Sequence, residues 1–193
     1  MSTLQKQLDE KIIFHHSQKN IMVQHCLRKL QGKYFPQEIR ERQAYGLMGG
    51  SFYNESLSVE LVLPLFKNAR LYGPVRAHMN EIISEHAIPG AVPITERAWV
   101  ADPLEVKNFL KLLQQRQLEL VGTYHMHHLE SWQGNELREL PTKLDEVLGK
   151  NTGLFMFIIG MVDLMQPTVR AFYEGCIDQE VRVMTRHDRG VIE

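Results

Sequence analysis

Leu118-Glu119-Leu120-Val121-Gly122-Thr123-Tyr124-His125-Met126-His127 is an apolar run that ends in two histidines one residue apart. The run reads as an extended strand, where side chains alternate faces, so His125 and His127 point the same way and can converge on one divalent cation. Further on, Pro141-Thr142-Lys143-Leu144-Asp145 can open a helix with a carboxylate in its first turn. Two imidazole nitrogens and one carboxylate oxygen, with a fourth position left for water, describe a catalytic zinc site rather than a closed structural one. Each piece alone has a plainer reading. An H-x-H pair is a weak pattern in a chain with nine histidines, and a first-turn Asp is ordinarily there for the helix macrodipole.

Working outward, Arg42 to Phe52 reads as a strand that turns at Gly49-Gly50, and the alternating Leu57-Ser58-Val59-Glu60-Leu61-Val62-Leu63 as its antiparallel neighbour. Pro74 to His86 reads as a helix closed by Pro89-Gly90. Asp102-Pro103-Leu104-Glu105 carries an N-cap Asp, Pro at the first helical position and Glu at the third. Val106, Phe109, Leu110 and Leu113 then give that helix a buried face. Leu154 to Ile159, Thr168 to Tyr173 and Val181 to Thr185 read as three further strands. Leu4, Leu8, Ile12, Cys26, Leu27 and Leu30 fall roughly on helical spacing, which predicts an N-terminal helical extension over residues 1–32, ended by Gly32. Its stripe packs on the main domain (33–193) or forms a partner or homodimer surface. The expected class is α+β or α/β, a central mixed sheet flanked by helices.

Composition narrows the function classes. A net charge of −1 and a pI near 6.8 lack the basic excess that general nucleic-acid or anionic-membrane binding requires. No apolar stretch approaches the roughly 18–20 residues needed to span a bilayer, and the polar start Met1-Ser2-Thr3-Leu4 has no signal-peptide core. Cys26 and Cys176 form no C-x-x-C pair, so two reduced structural thiols in a cytoplasmic protein are expected.

The strand Gly46-Leu47-Met48-Gly49-Gly50, then Val121-Gly122-Thr123-Tyr124-His125-Met126-His127, then Pro141-Thr142-x-x-Asp145 and the strand at Leu154, together resemble the JAMM (MPN+) zinc metalloprotease family over roughly residues 35 to 175. That resemblance implies an MPN/JAMM-like (cytidine-deaminase-like) fold. It also implies Zn2+ on His125, His127 and Asp145, and cleavage after the C-terminal tail of a ubiquitin-like protein. By the same resemblance Thr142 stands where a serine helps stabilise the oxyanion; helix capping is its structural alternative. The tail would add as a β-strand along a sheet edge, and the segment Leu129 to Leu140, with Trp132, could shape its groove.

The chain departs from the family twice. Seventeen residues separate His127 from Asp145, more than is usual; at the usual spacing stand Asn135 and Arg138, and Arg cannot bind zinc. Asp145 therefore rests on its local pattern, with Glu130, Glu136 and Glu139 as substitute ligands, while a longer loop costs little closure entropy. The catalytic Glu usually lies three residues before the early glycine, and that position, counted from Gly46, is Gln43. An amide orients water but accepts no proton at physiological pH, and loss of a general base costs about 10²–10⁴-fold in rate. Glu41 shares the strand face but lies about 6.6–6.8 Å away, and Glu38 lies further. Gln43 marks an introduced Glu→Gln change, a natural loss of activity, or a register in which Glu41 is the base. His128 falls on the opposite strand face. The rival functions are a non-catalytic MPN-like scaffold, which Gln43 favours, and a zinc deaminase, for which the two cysteines are not spaced.

Overall fold

The computed structural model describes residues 11–53, 56–88, 93–94, 97–128 and 139–186. Its strands are β1 (Lys11–His15), β2 (Tyr45–Tyr53), β3 (Ser56–Pro64), β4 (Glu119–His128), β5 (Phe155–Met161), β6 (Thr168–Tyr173), β7 (Glu180–Val181) and β8 (Val183–Arg186). The α-helices are α1 (His16–Leu30), α2 (Gly73–His86), α3 (Pro103–Arg116) and α4 (Lys143–Gly149).

All eight strands join one mixed sheet in the order β7-β6-β5-β4-β2-β3-β1-β8. β2 is antiparallel to β3 and β4, β4 runs parallel to β5, and β1 runs parallel to both β3 and β8. β7 and β8 are the two edges, yet Arg182 alone lies between them in the chain. Because one residue reaches at most about 3.6 Å, the two edge strands meet end to end, one paired with β6 and the other with β1, and the sheet curls into a nearly closed barrel. The Ile12 amide donates to the Arg182 carbonyl at 2.8 Å, tying this seam to β1. α1 touches β5 on one side and β1, β3 and β8 on the other, as a helix enclosed by the curl does. There Met22 and Cys26 pack with Ile12, Phe14, Met48, Tyr124 and Phe157. On the opposite face Phe109 and Leu113 of α3 pack against Leu47, Leu65 and Trp99.

This barrel-like sheet corrects the expected MPN/JAMM-like α+β or α/β sheet flanked by helices. The N-terminal helical extension is corrected with it. Within residues 1–32, Lys11–His15 is a strand, with Ile12 and Phe14 fully buried, and His16–Leu30 is a core helix. The remaining positions of that stripe, Leu4 and Leu8, lie outside the described residues, as do Pro89-Gly90. β2 does not turn at Gly49-Gly50 but continues through it, with register shifts there against β3 and β4. A Cβ on Gly49 would stand 2.1 Å from Leu113 Cδ2, so the glycine lets α3 close onto the sheet. The expected strand from Val181 to Thr185 is divided at Arg182 between the two edges. Asp102 caps α3 as its sequence indicates, accepting from the Leu104 and Glu105 amides. Glu105 instead accepts from the Phe66 and Lys67 amides.

Candidate metal centre

β4 delivers His125 and His127 on the face away from Tyr124 and Met126, as strand alternation requires, and both are buried. Their Nε2 atoms share a hydrogen bond at 2.9 Å. The third member comes from the start of α4, where Thr142 is the N-cap of a reciprocal capping box. The Thr142 hydroxyl accepts from the Asp145 amide at 3.2 Å. In return Asp145 Oδ2 accepts from the Thr142 amide at 2.7 Å and from its hydroxyl at 2.8 Å. Asp145 Oδ1 then lies 3.4 Å from His125 Nε2, and Oδ2 lies 3.8 Å from His127 Nε2. Bonds of about 2.0–2.1 Å in a tetrahedral site set ligand atoms about 3.3 Å apart. These three donors, all within 4.8 Å of one another, can hold a metal ion.

The electrostatics suit that use. Burial lowers the pKa of His125, with Asp145 opposing, so the ring is neutral at physiological pH and its nitrogen lone pair is available. Burial disfavours ionisation of Asp145 most, but the two imidazoles and the Thr142 amide and hydroxyl outweigh it and hold the carboxyl below its ordinary value.

The candidate base positions part company. The Met126 amide donates to the Ala44 carbonyl at 3.2 Å, which carries the β2–β4 pairing past Tyr45 opposite His125. Carried one residue further in extended backbone, that pairing would set Gln43 opposite His127 on the ligand face. The Gln43 Oε1 is buried and makes no hydrogen bond among the described residues, as an acceptor left open for a partner would be. Glu41 is turned elsewhere and accepts from Asn68 Nδ2 at 3.1 Å. Glu38 is buried with Arg28, Lys29 and His25. Glu139 Oε1 lies 2.9 Å from where a Cβ on Gly160 would stand, beside His127 in register but outside the three-donor group. His128 ends β4 paired with Met161. Glu130, Trp132, Asn135, Glu136 and Arg138 lie outside the described residues.

Sequence reasoning passed over two aromatic residues at the site. Tyr45 stacks on His125, with centroids 5.3 Å apart and planes at 19°. It also stacks on Trp99, at 5.5 Å and 17°. Burial, then the Asp145 charge, pushes the Tyr45 phenol well above its ordinary range. The signal was the Tyr45–His125 register, which needs β2 paired to a strand some eighty positions away.

No helix among the described residues is long and apolar enough to cross a membrane. No protein-family model and no curated protein matches this chain. Its fold is similar to the solution structure of protein DSY2949 from Desulfitobacterium hafniense, with 18% identity and a TM-score of 0.57 over 92% of this chain and 94% of that one. At that identity the likeness shows a shared fold alone.

Proposed function

We propose that the triad holds zinc and that the chain is a JAMM-type metallopeptidase centre directed at the extended C-terminal tail of a ubiquitin-like protein, with its proton-transfer position occupied by Gln43. The observation that carries this reading is the convergence of three buried donors from two elements. Bound zinc supplies Lewis acidity toward a scissile carbonyl and makes water a better acid. His125 and His127 hold the cation from β4, and Asp145 holds it through the oxygen that Thr142 leaves uncovered. The Gln43 amide orients water by accepting a hydrogen bond, but it removes no proton. Such a chain binds its tail far better than it cleaves it. A non-catalytic scaffold is the second reading, favoured by Gln43 and by the Thr142 hydroxyl being directed at Asp145 rather than at a substrate.

Elemental analysis of the chain and of Asp145→Ala, purified identically without added metal, tests the centre. Near-stoichiometric zinc in the parent, sharply reduced in the variant, is expected; no metal in either protein ends the metalloenzyme reading. Gln43→Glu should then cleave a ubiquitin-like conjugate about 10²–10⁴-fold faster than the parent. Equal, negligible rates would leave the scaffold.

A further inference from the structure

We infer that Tyr45 is a positioning residue for the metal ligand His125, its stacked ring fixing the imidazole plane. The inference rests on the metal-binding reading of the triad. A ligand histidine usually donates its second ring N–H to a carboxylate, a carbonyl or a water, and this outer contact sets its tautomer and orientation. Among the described residues, the polar contacts of His125 run through Nε2, to His127 and to Asp145. What meets the ring itself is Tyr45, its partner directly across the β2–β4 ladder. Adjacent strands are about 4.7–4.9 Å apart, so two rings facing each other in register stack without adjustment of either backbone.

Tyr45 is held in turn. Trp99, itself buried, stacks on it, and the ammonium of the fully buried Lys29 stands 5.6 Å from the Trp99 centroid. The backbone around Trp99 is pinned by Asn68, whose Oδ1 accepts from the Val100 amide at 3.1 Å, while the Ala69 amide donates to the Val100 carbonyl at 2.8 Å. The imidazole thus ends a column of packed rings rooted in two separate segments. A metal ligand needs its lone pair aimed within about 10–20°, and a column of this kind limits ring rotation as a hydrogen bond does.

The test titrates Zn2+ into each protein against a chromophoric chelator and records the ligand-field spectrum of the Co2+ form. Tyr45→Leu is expected to bind Zn2+ about 10–100-fold more weakly with altered Co2+ bands, while Tyr45→Phe, which keeps the ring, restores parental affinity and spectrum. Should circular dichroism show Tyr45→Leu unfolded, Trp99→Leu removes the outer ring and is expected to weaken binding in the same sense. A folded Tyr45→Leu with parental affinity and spectrum overturns the inference and leaves the centre standing. A Tyr45→Phe protein as weak as Tyr45→Leu also overturns it, by assigning the effect to the hydroxyl. A parent protein that binds neither cation overturns the centre and the inference together.

Discussion

At Thr142 one hydroxyl serves both the fold and the site. It accepts from the Asp145 amide and donates to Asp145 Oδ2, so the bond that caps α4 also aims the carboxylate. Thr142→Ala is therefore expected to lose about 0.5–2 kcal/mol of stability and to weaken zinc binding about 10–100-fold. Thr142→Ser should retain both, as thermal unfolding and zinc titration would show. A residue acting on an oxyanion alone would change turnover without moving metal affinity. Gly46, from which the position of Gln43 is counted, has a packing reason of its own. A Cβ there would stand 2.0 Å from Tyr124 Cε1, so the buried Tyr124 ring occupies the space of the missing side chain.

Among the elements, α1 brings charge into the core. Glu38 takes a bidentate pair from Arg28, lies 3.4 Å from Lys29 Nζ and 3.5 Å from His25 Nε2, and accepts from the Phe35 amide at 3.1 Å. His25 Nδ1 shares a hydrogen bond of 2.8 Å with the Tyr124 hydroxyl. Burial, only partly offset by Glu38, pushes the His25 pKa down to about 4. The unfolded chain, at about 6.5, takes up that proton first. Stability is accordingly full above about pH 6.5 and falls as pH drops toward 4, by on the order of 3 kcal/mol. Burial works against ionising Glu38, but Arg28, the Phe35 amide and Lys29 hold its carboxyl below the ordinary value. It adds a loss of the same sign at still lower pH. Urea midpoints measured at intervals from pH 7 to pH 4 should fall for the parent and fall less for His25→Asn. None of this cluster was legible in the sequence. Arg28, Lys29 and Glu38 come together only when α1 is enclosed, and a helical stripe from Leu4 to Leu30 absorbs Ile12 of β1 and passes over Phe14. The parts that were legible are local ones. The period of two through His125 and His127 and the capping signature at Thr142 and Asp145 need no distant partner.

The molecule as a whole is decided by pairings that no local pattern announces. β1 is placed by β3 and β8, the latter some 170 positions along the chain. Such contacts depend on the closed sheet rather than on propensity. Since β1 is paired on both sides, the amides of Ile12, Phe14 and their neighbours should exchange with solvent only at the rate of global unfolding, level with those of β2. Fast exchange there, measured by mass spectrometry or NMR, would mark residues 11–15 as a loosely attached arm and contradict the barrel. The parallel run of β1 beside β8 has a mechanical side. Tension applied at Lys11 and at Arg186 would draw these neighbours in opposite directions along their length. The ladder is then loaded in shear, with its evenly spaced bonds sharing the force rather than opening one by one. A chain gripped at these two points would resist being pulled apart in the way a lap joint does, and peeling from some other pair of points would be the easier route to its forced unfolding.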